Sequence, residues 1–136
     1  YKGWDASFFF QGVAKRDIML QGIHSFTGNT HNLMQWVVDN YWREDGANPS
    51  AEYPRLTNGS NPNTTEPSTY WLKDGSYIRL KNVELGYTWK FLRAYVAGAN
   101  LLTFSKFKIW DPELNTQNGQ AYPTQRTVSV GLQMTF

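Results

Sequence analysis

The final residues, 127–136, constrain this chain more than any others. Val128, Val130, Leu132, Met134 and Phe136 are apolar, and Thr127, Ser129, Gly131, Gln133 and Thr135 between them are small or polar. A period of two is the signature of an extended strand with one apolar and one polar face, because successive side chains point to opposite sides of a sheet. Chain termini are usually frayed and polar. Here the alternation runs to the last aromatic residue, so this end reads as tied into a sheet.

Three more segments carry strand character. In residues 1–14, Trp4, Ala6, Phe8, Phe10 and Gly12 share one phase, Asp5, Ser7 and Gln11 share the other, and Phe9 is the exception. In residues 70–89, Ile78 and Leu80 share one phase, whereas Val83, Leu85, Tyr87 and Trp89 share the other. The switch at Lys81-Asn82 marks a β-bulge or a change of environment. Residues 92–104 form a third candidate, its β propensity diluted by Ala94, Ala97, Gly98 and Ala99. The fourth strand is expected over 122–136.

Between the first two strands, residues 15–69 lose the pattern. They carry Gly22, Gly28, Gly46 and Gly59, four prolines, and a polar run from Asn58 to Thr65, the residues of turns and loops. Leu33, Val37 and Tyr41 are spaced by four, which predicts a short loop helix within His31–Tyr41 capped by Asn29 or Thr30. A connection this long is normally functional or disordered. A second loop, 105–121, contains Asp111-Pro112 and Asn118-Gly119.

Composition removes several classes. The net charge of +2 with scattered Lys and Arg gives no nucleic-acid footprint. No apolar run approaches the length of a membrane-spanning helix. Cys is absent, which excludes disulfides, cysteine-based zinc sites and a thiol nucleophile. No leader pattern precedes Tyr1, so the chain is expected to be a mature protein or a piece of a longer one. Aromatic residues reach 16% while charged residues are only 18%. That balance suits a surface facing two environments better than a small soluble core.

The expected strands are longer than globular ones and match tilted membrane-crossing strands of about nine to eleven residues plus overhang. Their connections run very long, very short, long. Outer-membrane barrels have short periplasmic turns and long outer loops. With Phe136 on the periplasmic side, the link from Trp89 to Leu92 is periplasmic and both long loops are extracellular. Trp4, Tyr87, Trp89, Phe104, Tyr122 and Phe136 then fall near strand ends as interfacial aromatics. Four strands cannot close a barrel, so partner copies or, by preference, a longer chain must complete it.

Residues 70–88, YWLKDGSYIRLKNVELGYT, resemble a signature of the SusC/RagA family of TonB-dependent outer-membrane transporters. Phe8-Phe9-Phe10-Gln11-Gly12, Tyr53-Pro54-Arg55-Leu56, Gly98 to Phe104, Asp111-Pro112-Glu113, and the stretch from Tyr122 through Gly131 to Phe136 are similar to the same family, in family order. The resemblance implies an all-β fold in which these are the last four antiparallel strands of a large, 22-stranded transmembrane barrel. It also implies a cell outer-membrane location, import of glycans or peptides, a SusD-like surface lipoprotein partner, and coupling to the TonB complex through an N-terminal part outside this sequence.

Candidate sites follow. The loop aromatics Trp36, Tyr41, Trp42 and Tyr53 could stack on sugar rings or meet a lid protein; the weightier account is that they form a small core within the loop. Arg79, Lys81 and Glu84 read first as charge pairs across neighbouring strands and only second as substrate contacts. Asp39, Glu44 and Asp45 beside Trp42 lack the fixed separation that a glycosidase pair needs. Asp111, Glu113, Asn115 and Gln117 alternate oxygen ligands as a calcium loop does, but Thr116 stands where an EF-hand requires Gly, so calcium is a remote candidate. His24 and His31 have no third metal ligand in view. Val128, Val130, Leu132, Met134 and Phe136 are the expected signal for barrel assembly, a role that the family resemblance implies. The chain is expected to be a transporter wall and not an enzyme, without cofactors. The alternative is a soluble all-β carbohydrate-binding module that uses the loop aromatics.

Overall fold

The structure is a computed structural model that describes residues 2–21, 33–57, 59 and 61–136. The chain divides into two units, one made of Tyr1–Arg16, Gly75–Leu114 and Ala121–Phe136, the other of Asp17–Asp74 and Asn115–Gln120.

The first unit is an antiparallel sheet of four strands: β1 (Trp4–Val13), β4 (Tyr77–Trp89), β5 (Leu92–Ser105) and β6 (Thr127–Met134), adjacent in that order. Residues directly opposite one another share a face, so the register sorts every side chain. Ala6, Leu85, Val96 and Val130 form one row across all four strands, and Phe8, Val83, Gly98 and Val128 form the next. With Trp4–Tyr87–Ala94–Leu132, Phe10–Leu80–Leu102 and Ile78–Phe104, they make a continuous apolar face. Most of it is bare: Phe8 is 60% exposed, Val130 77% and Leu132 68%. The opposite face is polar apart from Phe9, with rows Ser7–Glu84–Ala97–Ser129 and Phe9–Asn82–Ala99–Thr127.

The register slips at Lys81. Leu80 pairs with Phe10 and Leu102, while Asn82 pairs with Phe9 and Ala99. Lys81 is therefore the extra residue against β1, and on β5 the pair Asn100-Leu101 stands opposite it, Asn100 at φ 55°. This bulge is why the apolar phase changes within β4 without the apolar face changing sides. β4 and β5 join through the two residues Lys90-Phe91, with Lys90 at φ 54°, the left-handed geometry that tight hairpins need at their first central position.

The strands differ in extent from the sequence expectation. β1 starts at Trp4 because Lys2 and Gly3 have φ of 53° and 89° and leave the extended region. The segment expected as strand over 70–89 yields β4 only from Tyr77. Before it, Thr69–Trp71 turns as a 3₁₀ helix, and β3 (Leu72–Asp74) pairs with β2 (Asp17–Met19). β5 runs one residue further than expected, to Ser105. β6 begins at Thr127 and not at Tyr122, since Pro123 has no N–H for a ladder.

The described residues of the second unit, Asp17–Asp74 and Asn115–Gln120, carry an order that no local periodicity announces. β2 and β3, α1 (Gln35–Asn40), α2 (Pro62–Thr65) and the 3₁₀ turn surround a core of Ile18, Leu20, Val37, Tyr53 and Trp71. Tyr53 stacks on Trp71 at 5.3 Å between ring centres and meets Trp36 at 5.2 Å. Trp71 Nε1 donates to the Asn63 carbonyl at 3.1 Å, which satisfies the polar edge of a fully buried ring. α1 is shorter than the predicted helix. It starts after Met34, which makes no side-chain capping bond, and the expected caps Asn29 and Thr30 lie outside the described residues.

Candidate functional site

Two surfaces carry polar chemistry. The first is the polar face of the sheet. Arg93 on β5 reaches across β4, its guanidinium bonded to Glu84 at 2.6 Å and to Asp5 of β1 at 2.5 Å, and it lies 5.1 Å from the Tyr95 ring centre. Two glycines make room. A Cβ on Gly86 would stand 2.6 Å from an Arg93 nitrogen, and one on Gly131 would stand 2.3 Å from the Tyr95 ring. A shallow depression of about 230 Å³ lies beside Glu84, floored by Ser7, Ala97, Ala99 and Ser129.

Near the other end of this face, Arg79 is buried at 2% exposure. It bonds to Asp111 and, at 2.7 Å, to Glu113, whose other oxygen accepts from Lys81 at 2.6 Å. Burial alone would raise the Asp111 carboxyl. The Glu113 backbone N–H and the Arg79 guanidinium outweigh it and hold the group below the usual carboxylate range. Arg16 donates to the carbonyls of Pro112 at 2.5 Å and Leu114 at 3.2 Å. This corrects the reading of Arg79 and Lys81 as cross-strand pairs: they hold the following loop, and of the three only Glu84 pairs across strands. Of the candidate calcium-ligand oxygens, Asp111 Oδ1 accepts from Arg79, and the two Glu113 oxygens accept from Arg79 and Lys81. Among the described residues no cluster of His, Asp and Glu could hold a metal; His24 and His31 lie outside them.

The second surface lies in the loop unit. Tyr41, Trp42, Arg43, Glu44, Asp45, Arg55 and Leu56 line an open groove of about 370 Å³. Trp42 is 45% exposed, and its backbone N–H donates to the Tyr53 carbonyl at 2.9 Å. Tyr53 itself is a correction to the candidate set. It is buried at 4% exposure, and that burial pushes its phenol up to about 12. It serves the core with half-buried Trp36 against it, and of the four aromatics Tyr41 and Trp42 line the groove.

The acidic residues here are tied up. Asp45 accepts two bonds from Arg43, at 2.5 and 3.2 Å, and one from the Ala47 N–H at 3.0 Å, so its carboxyl is held low. Glu44 pairs with Arg55 at 3.3 Å, and Asp39 accepts from Gln35 at 2.7 Å. Asp45, held ionised, is no general acid. Sequence reasoning singled out Arg79 but not its partners, and it missed the Arg16 anchor and Trp71; the signal available was the pair of carboxylates at Asp111 and Glu113.

The expected assembly residues Val128, Val130, Leu132 and Met134 line the apolar face of β6, all more than half exposed, with Phe136 beyond the strand. Thr135 N–H donates to the Phe91 carbonyl at 3.0 Å and ties this end to the β4–β5 turn.

No family model matches the sequence. Two curated proteins of Formosa agariphila are similar across the whole chain: TonB-dependent receptor P26, 31% identical, and TonB-dependent receptor P3, 28% identical. The chain spans about one sixth of their length, 16% and 15% respectively. Among solved structures, the RagAB peptide importer in its open-open state matches 100% of the chain and 16% of the solved chain, with a TM-score of 0.70 at 27% identity. Its closed-closed state gives 0.71 at 28% identity over the same shares.

Proposed function

The chain belongs to the TonB-dependent receptors of the SusC/RagA type, and from that premise we propose that it forms four strands of the barrel wall, at the C-terminal end, of an outer-membrane nutrient importer. The apolar face of the sheet carries this reading. From Ile78 to Trp89, β4 makes roughly ten regular steps beyond the bulge, or roughly 34 Å at about 3.4 Å each. Tilted by about 40°, that length spans roughly 26 Å of height, against an apolar band of about 25 Å in such barrels. Trp4, Tyr87 and Trp89 mark one border of the band, with the Trp4 and Tyr87 rings 4.9 Å apart, and Phe104 stands near the other.

In this reading the polar face, with Arg93, Asp5 and Glu84, lines the lumen. The groove at Tyr41 and Trp42 is the place where this segment meets a glycan or peptide, or a SusD-like lipoprotein that covers the barrel. TonB supplies energy through parts of the receptor outside this sequence. The chain itself is a wall and does no bond-breaking chemistry. The soluble binding module is disfavoured because a sandwich would lay a second sheet over Val128, Val130 and Leu132, which stand bare.

Deletion of the whole receptor in the cell that makes it tests the proposal. The receptor is expected in the outer-membrane fraction, and its loss should abolish growth on one class of oligosaccharide or peptide supplied as sole nutrient. Recovery in a soluble fraction, or undiminished growth on every such nutrient, would overturn it.

A further inference from the structure

We infer that Phe107–Leu114 is a fixed strap folded inward over the polar face of the sheet, that it narrows the outer mouth of the pore and limits the size of what enters, and that Arg79 is its positioning residue. The inference rests on the importer reading for the identity of that face as the lumen.

The register supplies the direction. Arg79 lies opposite Gln11 and Thr103, in the polar phase, while its neighbours Ile78 and Leu80 lie in the apolar one. A side chain on that face should be wet, as Asn82 is beyond the bulge. Arg79 is instead 2% exposed, and Asp111 and Glu113 of the segment after β5 lie against it. Ser105 Oγ donates to the Ser76 carbonyl at 2.8 Å and accepts from the Phe107 N–H at 3.1 Å, which turns the chain back at the strand end. Phe107 is buried, with Trp110 edge-on at 5.0 Å. Asp111 then meets Arg79, and Glu113 bridges Arg79 and Lys81. Those residues sit two and four positions into β4, the second at the bulge, so the strap descends about 7 Å and then about 10 Å below the strand end.

The anchors come from three strands, which makes the strap a fixture. Arg16, just past β1, holds two of its carbonyls; Arg79 and Lys81 on β4 hold two carboxylates; Ser105 ends β5. On the return, the Asn100 side chain donates to the Gln125 carbonyl at 3.0 Å. A loop with these ties would not lie outside the rim, because Arg79 and Lys81 cannot reach it there from the polar face.

The test uses the whole receptor with a single reporter cysteine at Asn82 on the polar face, labelled by a small methanethiosulfonate and by a bulky polyethylene-glycol maleimide. The strap is released by the charge-free set Arg79→Met, Asp111→Asn and Glu113→Gln, which strands no buried charge, and more mildly by Lys81→Met with Glu113→Gln. The ratio of bulky to small labelling rates should rise severalfold in the first and less in the second, with heat-modifiability of the barrel unchanged. An unchanged ratio in either correctly assembled variant would overturn the strap. A separate reporter at Ala47, in the outer loop, should label on intact cells whatever the strap does. If it does not, the importer topology fails instead, and the Asn82 ratio measured on purified receptor in detergent still judges the strap.

Discussion

Replacing Val130 by Arg puts a guanidinium on the apolar face, and replacing the preceding Ser129 puts the same group on the polar face. Val130 lies in the row Ala6–Leu85–Val96–Val130, two rows from the Lys90-Phe91 turn. Two rows are about 14 Å along the strand, or roughly 10 Å of height at a tilt of about 40°, close to the middle of a band about 25 Å tall. Arg at that depth on a lipid face costs about 2–4 kcal/mol. At about 3 kcal/mol the folded fraction relative to unfolded falls by roughly 150-fold. Arg at 129 stays in the row of Ala97 and Glu84 and should change stability by no more than about 0.5 kcal/mol. Denaturant titration of the whole receptor in phospholipid vesicles, followed by tryptophan fluorescence, measures both. Equal penalties, or a larger one at Ser129, would refute the assignment of faces.

Three further outcomes follow from the same structure. Trp71→Ala should cost the loop unit about 3–5 kcal/mol, since it empties a fully buried site and abandons the Tyr53 stack; limited proteolysis should then cut within 17–74 while the barrel keeps its heat-modifiable mobility. Tyr53 titrates at about 12 instead of 10.0, so the stability it lends the loop unit is fully present below pH about 10 and is lost as pH rises through about 12. Tyrosinate absorbance should show one late-titrating group that Tyr53→Phe removes. Deleting Phe136 should lower outer-membrane levels of the receptor, read by quantitative blotting of membrane fractions; normal levels would remove the assembly role assigned to this residue.

The strands of the wall were legible because lipid on one side and water on the other impose a strict period of two, and Val128 to Met134 display it without interruption. The bulge at Lys81 was legible as a change of phase. The loop unit was not. Its core is assembled from Ile18, Leu20, Val37, Tyr53 and Trp71, single residues far apart in sequence, with no local periodicity to announce them. Tyr53 looked available for a ligand because an aromatic residue beside Pro54 in a loop carries no mark of burial. Arg79 was read against its strand neighbours because sequence shows alternation within a strand and nothing of what folds over it. Of the candidate groove, Trp42 and Tyr41 could be named in advance, but the pairing of Arg43 with Asp45 and of Arg55 with Glu44 could not.

The extra residue at Lys81 has a consequence for how such a wall can change over generations. It acts as a frame marker: on one side of it even-numbered residues of β4 face outward, and on the other odd-numbered ones do. Losing a residue of β4 on either side of it would shift part of the strand by one and turn the displaced side chains to the wrong face, whereas losing Lys81 itself would leave plain alternation through Leu80, Asn82 and Val83. Substitutions along β4 can accumulate singly and stay within their own face, but a length change cannot. The exception is the bulge itself, where Lys81 stands opposite the Asn100-Leu101 pair, so the two strands meet at one frame marker although nineteen positions separate Lys81 from Asn100.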